Sequence, residues 1–118
     1  MNSLIKQIFT NFSVDGVTIP VSFLRYNGKS TTYITYQQVD ADDTFSYDDE
    51  LAAYVVYYDF DIFSKGDYFP IIESVKELMK NNGFRFQPLH SSRDMYEDDT
   101  GYYHKTLCFS KIKIEGGN

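Results

Sequence analysis

Apolar and polar positions alternate with two different periods along this chain, and the switches between them mark its elements. In 3–12, SLIKQIFTNF, the residues Leu4, Ile5, Ile8, Phe9 and Phe12 share one helical stripe, while Lys6, Gln7 and Asn11 face elsewhere. This spacing predicts an amphipathic helix of about three turns with Ser3 as cap. Too short to persist alone, such a helix docks on a sheet or a neighbouring subunit. In 17–26 the period falls to two, through Val17, Ile19, Val21 and Phe23. Pro20 cannot donate to a ladder, so the strand reads as an edge or a strand start. Asn27-Gly28 is a strong tight-hairpin signal, and 31–39, TTYITYQQV, reads as the return strand.

The strongest strand signal is 51–63, LAAYVVYYDFDIF. Tyr54, Val56, Tyr58, Phe60 and Ile62 form a face that reads as core. Ala53, Val55, Tyr57, Asp59, Asp61 and Phe63 form the other, which starts apolar and turns acidic. That change predicts a strand end leaving the packed region. After Ser64-Lys65-Gly66, residues 68–82 return to the helical period, with Ile71, Ile72, Val75, Leu78 and Met79 on one stripe. Asp67 is the expected cap, Pro70 fits the first turn, and Gly83 fits the position just past the end. Glu73 and Glu77 precede Lys76 and Lys80 in the favourable i,i+3 order. A short strand at 84–89, a polar loop at 90–101 and a last strand at 102–114 complete the chain. Neither face of that last strand is cleanly apolar. The predicted fold is α+β, in the order α-β-β-β-α-β-β. It is a mainly antiparallel sheet of about five strands with two helices packed on one side, in a single domain spanning 1–118.

Composition narrows the function more than the fold. Eleven basic residues stand against 17 acidic ones, for a net charge of -6. That balance offers no footprint for a phosphate backbone. Lys105, Lys111 and Lys113 are interspersed with apolar residues, without an arginine cluster or a glycine loop. Eleven Tyr and 10 Phe, with no Trp, make 18% of the chain aromatic, an excess that fits broad sheet faces or an interface. No apolar run reaches the roughly 20 residues of a membrane span, and the N-terminus does not read as a secretory signal. One cysteine excludes an intramolecular disulfide.

Candidate chemistry is sparse. Cys108 and His104 share a strand face about 13 Å apart, too far for a nucleophile–base pair. His90 stands in a polar stretch, and two histidines with one cysteine lack zinc spacing. Asp59 and Asp61 lie about 6.6 Å apart on one face, a separation compatible with a divalent-metal site that includes Asp67, or with a glycosidase carboxylate pair. The alternative is a solvated strand end paired with cross-strand lysines. No phosphate loop, dinucleotide fingerprint, HExxH or GxSxG is present. The chain therefore reads as a non-enzyme with no assigned catalytic residue, metal, cofactor or small-molecule substrate. Long strands with aromatics on both faces, and an open edge, point to a symmetric oligomer.

The stretch AAYVVYYDFDIFSKGDYFPIIESVKELMKNNGFRF, then a polar acidic loop and GYYHKTLCFSKIKI, resembles small tail-completion proteins. These belong to long-tailed bacteriophages of Gram-positive hosts and are relatives of the lambda tail terminator and of head–tail joining proteins. The resemblance covers about 15–114 and rests on three features. They are the aromatic strand ending in D-I-F-S-K, the helix closed by N-G-F, and the D-x-G-Y-Y-H-K-T entry to the last strand. It implies a hexameric ring in the virion, at the head-proximal end of the tail, assembled in the host cytoplasm. Such a ring caps the tail tube protein and meets the head–tail connector protein, and DNA passes through it without specific binding. A head-side adaptor or stopper of the connector fits the same resemblance. A different class, an acidic nucleic-acid mimic that binds proteins, predicts carboxylates spread over one face, whereas here they are concentrated in loops and strand ends.

The resemblance also implies that the loops at about 40–50 and 90–101 reach neighbouring subunits or the partner ring. The residues singled out there are Asp42, Asp43, Phe45, Tyr47, Asp48, Asp49, Arg93, Tyr96 and Asp98. Segment 40–50, DADDTFSYDDE, carries six carboxylates and no base, so it belongs in solvent or against a basic partner. Facing a lumen, it would repel DNA.

Overall fold

The computed structural model describes residues 2–39, 44–46 and 52–115, with the backbone alone at 2, 44–46, 52–54 and 113–115. Its elements are α1 (Asn2–Ile8), β1 (Ser13–Val14), β2 (Val17–Thr18), β3 (Val21–Phe23), β4 (Tyr33–Val39), β5 (Thr44–Ser46), β6 (Ala52–Ser64), α2 (Phe69–Asn81), β7 (Arg85–Phe86), β8 (Met95–Glu97) and β9 (Tyr102–Glu115), with a 3-10 turn at Pro88–His90. Strands β3 to β9 form one sheet in the order β3-β4-β6-β9-β7, with β5 also on β6 and β8 also on β9. Every pairing in it is antiparallel except β3 with β4. The α+β class and the two helices on one side agree with the sequence pattern.

The core follows from period-two alternation in the three long strands. Ile34 and Tyr36 of β4, Tyr58, Phe60 and Ile62 of β6, and Leu107 and Phe109 of β9 are buried on one sheet face. Ile5 and Phe9 from the N-terminal region and Ile71, Ile72, Val75 and Met79 from α2 join the same cluster. Phe60 is fully buried at its centre, stacked 5.6 Å from Tyr36, with Phe109 at 5.7 Å and Phe9 at 5.3 Å.

Helix α2 matches its expected limits to within a residue, but its N-cap is Tyr68 and not the expected Asp67. The Asp67 carboxylate accepts from the Phe69 N–H at 3.1 Å, and Pro70 sits in the first turn. At the far end Gly83 adopts φ +88. Its N–H donates to Lys80 O at 3.1 Å and the Phe84 N–H donates to Met79 O at 3.0 Å, which is the Schellman pattern. The hydrophobic contact that accompanies such a cap is supplied by Phe84 and Met79, both buried. Glu73 pairs with Lys76 at 3.8 Å.

Several expectations need correction. α1 ends at Ile8, with Ser3 inside it rather than capping it. Asn11 takes a left-handed φ of 56, which stops the helix yet swings Phe12 back against Phe9, with ring centroids 5.2 Å apart. The strand expected at 17–26 is broken at Ile19-Pro20 into β2 and β3. β2 closes a small hairpin with β1 through Asp15-Gly16, at φ 51 and 82. Asn27-Gly28 forms no hairpin, because β3 runs parallel to β4. The Tyr26 ring instead stacks 4.6 Å from Tyr33, and its hydroxyl accepts from the Ser30 N–H at 2.8 Å. A Cβ at position 28 would collide with that tyrosine, so the glycine serves a close approach rather than a tight turn.

The acidic segment is not only a loop, since β5 lies within it and pairs with β6. Nor is 90–101 only a loop. β8 forms a hairpin with β9, and Ser92 N–H donates to Thr106 O at 2.9 Å further along the same edge. β6 does not leave the packed region at its end. It is the central strand, flanked by β4 and β9 from Tyr57 to Phe63.

The left-handed C′ position yields a test. Gly83→Ala should destabilise the fold by about 1 kcal/mol through αL strain. Urea unfolding should show this as a lower midpoint with an unchanged slope.

Candidate interaction surface

The sheet face away from the helices is built in transverse rows fixed by register. Tyr33, Phe63 and His104 form one row, Thr35, Asp61 and Thr106 the next, and Gln37, Asp59 and Cys108 the third. The first row is an aromatic ladder. Tyr33 stacks on Phe63 at 4.9 Å and Phe63 on His104 at 4.2 Å, while Tyr26 extends the stack from the β3–β4 connection. Tyr102 meets Tyr33 and Phe63 edge-on, and Lys65 lies 5.1 Å from its ring centroid.

The next two rows hold the carboxylates that alternation placed on this face. Asp61 Oδ1 accepts from Thr106 Oγ1 at 2.5 Å and lies 3.2 Å from His104 Nε2. His104 Nδ1 is 4.0 Å from Glu97, so the imidazole stands between two acids. Asp59 is half-buried, and burial first of all raises its carboxyl above the usual carboxylate range, with the charge of Asp61 adding to the effect. The Cys108 thiol donates to Asp59 and works against that rise. Burial in turn pushes Cys108 up to about 12, helped by the Asp59 charge, so the sulfur remains a protonated donor at neutral pH. Both carboxylates are half-buried and, among the described residues, neither is paired with a lysine, which corrects that part of the sequence reading. Asp67 is engaged at the start of α2. Among the described residues no three His, Cys, Asp or Glu side chains converge in a metal-binding group.

A second aromatic group lies on the helix side, beyond the end of the core. Tyr103 of β9 contacts Tyr96 of β8 at 4.8 Å and Tyr68 at 6.1 Å, and Tyr68 contacts Phe69 at 5.9 Å. Three of these rings are open to solvent, Phe69 at 60%, Tyr96 at 54% and Tyr103 at 42%. Beneath them the Tyr68 hydroxyl donates to Asp94, and Lys105 stands 3.5 Å from the same carboxylate. The tyrosine hydrogen bond, with a smaller contribution from Lys105, holds Asp94 below the usual carboxylate range. Burial and the same bond raise Tyr68 far above an ordinary phenol.

Of the singled-out residues, Asp42, Asp43, Tyr47, Asp48 and Asp49 lie outside the described residues. Phe45 occupies the middle of β5, opposite Ala53. Arg93 and Asp98 are exposed, and Tyr96 belongs to the second aromatic group. The sequence reading missed its partners Tyr68, Phe69 and Tyr103, although the adjacent pairs Tyr68-Phe69 and Tyr102-Tyr103 were visible. No described helix is long and apolar enough to cross a membrane. The chain matches no family model and none of the curated proteins.

Asp59 generates a prediction whose sign is fixed. Its folded-state pKa is raised, so the native state binds more protons than the unfolded chain between the two values. Stability therefore falls as pH rises through that window, and the penalty persists at neutral pH. Asp59→Asn keeps an acceptor for the Cys108 thiol and removes the charge. It should raise the melting temperature at pH 7 and flatten the stability profile above the usual carboxylate range. A variant melting below wild type at pH 7 would show that the ionised carboxylate is net stabilising.

Proposed function

We propose that this chain is a structural, self-associating protein that works through its surfaces, as a tail-completion component of a long-tailed bacteriophage. In this reading its copies form a ring at the head-proximal end of the tail. The ring caps the tube by binding its last layer while presenting no further copy of the tube subunit's own docking surface. The observation that carries the reading is the exposed aromatic group of Phe69, Tyr96 and Tyr103. Exposed rings gathered around one buried tyrosine, with Tyr96 on Tyr103 and both Tyr103 and Phe69 on Tyr68, are a common mark of a protein interface on a small chain. The choice of a phage tail over any other assembly rests on the resemblance carried by the D-I-F-S-K, N-G-F and D-x-G-Y-Y-H-K-T segments.

Binding can be measured by incubating purified chain with tail tubes that lack a terminator and, separately, with isolated head connectors. Tail capping predicts recruitment to one end of the tube, at a stoichiometry set by a ring of 13.7 kDa subunits. Recruitment to connectors alone would move the protein to the head side, and binding to neither would defeat the reading. Tyr96→Ala combined with Tyr103→Ala should weaken tube-end binding by about 2 kcal/mol or more, as expected for aromatic anchors at an interface. The thermal melt should change little, because both rings lie outside the core.

A further inference from the structure

The long strands run past the core. β4 pairs with β6 only from Tyr57 onward, and β7 pairs with β9 only up to Ser110. Beyond those points β6 and β9 continue together, Ala52–Val56 against Ile112–Glu115 and Lys111, with β5 on the other side of β6. The result is a three-stranded ribbon at one end of the sheet, in a molecule with a longest dimension of 52 Å. Among the described residues both of its edges are unpaired, the outer edge of β5 and the edge of β9 after Ser110.

The β9 edge is prepared for a strand. Gln87 N–H donates to Cys108 O at 2.8 Å, and Ser92 N–H donates to Thr106 O at 2.9 Å, so residues 106 and 108 direct their backbone groups away from β6. Alternation then gives Ile112 and Ile114 the same outward direction, where no described strand receives them. Where β7 stops, a groove of about 440 Å³ opens beside this edge, lined by Val55, Tyr57, Arg85, Gln87, Lys111 and Ile112. Ile112 is 60% exposed. Arg85 is exposed and makes no ion pair with a described residue, and the ammonium of Lys111 lies over the Phe84 ring.

The other edge carries the opposite charge. In sequence β5 is bounded by 40–43 and 47–50, which together hold six carboxylates. Copies of that segment repel each other, which disfavours pairing β5 with β5, whereas Arg85 and Lys111 complement it. Direction agrees as well. β5 and β9 are both antiparallel to β6, so they run the same way. A rotation that brings β9 of one copy against β5 of the next keeps every ribbon pointing in one direction. Such a contact is heterologous, and when the rotation closes it leaves no edge unpaired.

We propose that the free β9 edge at 111–115, with the Arg85–Lys111–Ile112 groove beside it, receives β5 of a second copy of this chain as a parallel strand, joining the ribbons into one closed sheet around the ring. The assignment rests on the ring reading above and adds the interface that builds it.

Ile112→Pro removes an outward N–H without taking a donor from the β6 ladder, and proline is tolerated on an edge. Light scattering over a concentration series should show wild type assembling and this variant at least about tenfold weaker, because a hydrogen bond is lost and its acceptor is left unpaired. The melting temperature of the monomeric fraction should stay near wild type. Equal assembly by the variant would overturn the proposal, as would a wild type that remains monomeric at millimolar concentration. A second measurement stands if the proline variant misfolds. Chains with Phe45→Cys are mixed with chains carrying Ile112→Cys, both in a Cys108→Ala background. Disulfide-linked pairs of unlike chains should exceed pairs of like chains, and their absence would overturn the edge assignment. Tube-end recruitment is read separately. Recruitment with no crosslink rejects this interface and keeps the capping reading, whereas crosslinked rings that ignore tubes and connectors reject the capping reading and keep the interface.

Discussion

The ladder between β6 and β9 is the constraint on which the rest of this structure depends. It is continuous from Ala52 to Ser64, and β4, β5, β7 and β8 each pair with one of its two strands. Its register sets Phe60 against Leu107 and Tyr58 against Phe109, which fixes the core row that α2 covers. The same register sets Phe63 against His104 and Asp61 against Thr106, which fixes the open face. Because side chains alternate with period two, a slip by one residue would exchange the faces. Phe60 and Ile62 would then face solvent, and Asp59 and Asp61 would enter the apolar layer beneath the helices. Burying two carboxylates there without partners costs several kcal/mol each, so the register is specified by what the wrong pairing would bury as much as by what the right one does.

The parts of the fold legible in the sequence are those in which one period runs uninterrupted. α2 has a stripe from Ile71 to Met79 and a stop at Gly83 that agree with each other, and only its first boundary is displaced, with Tyr68 rather than Asp67 at the N-cap. β6 was legible as a strand for the same reason, whereas β9 was legible by its length and β-forming residues although neither of its faces is cleanly apolar. Errors gathered where the signal was a dipeptide or a short run. Asn27-Gly28 and Asp15-Gly16 are both hairpin signals, and the structure uses only the second for a hairpin. The difference lies in Tyr26, whose ring packs on Tyr33 and closes against Gly28, a tertiary contact that no local rule contains. β5 and β8, each three residues long, depend on the edge that β6 or β9 offers them rather than on their own pattern.

The candidate interaction surface was legible only in part, for a related reason. Charge density drew attention to 40–50, and polarity to 90–101, because both are contiguous in sequence. The aromatic group around Tyr103 is assembled from three separate places, the start of α2, β8 and the start of β9. Only the β8–β9 hairpin and the β6–β9 ladder bring them together. The acidic end of β6 was misread because a carboxylate in a strand ordinarily marks solvent. Its partners, Thr106, His104 and the Cys108 thiol, lie on a strand more than forty positions later, and only register reveals them.

Those carboxylates also explain how a sheet with aromatics on both faces avoids closing on itself. An open face made only of Tyr33, Phe63, Tyr57 and Tyr102 would be a flat apolar surface, suited to stacking on any other sheet. Asp59 and Asp61 cross the middle of that face on the central strand, held by hydrogen bonds to their cross-strand neighbours. A second sheet laid over them would strip their remaining water and offer no donors in return, so face-to-face stacking is disfavoured where the rings would otherwise promote it. The burial that raises Asp59 is the stability cost of this arrangement. Backbone pairing is not opposed in the same way, because it adds strands at an edge and leaves the face wet. For this sheet, then, the path to association left open by its own chemistry is lateral, through strand edges and the exposed rings at its end.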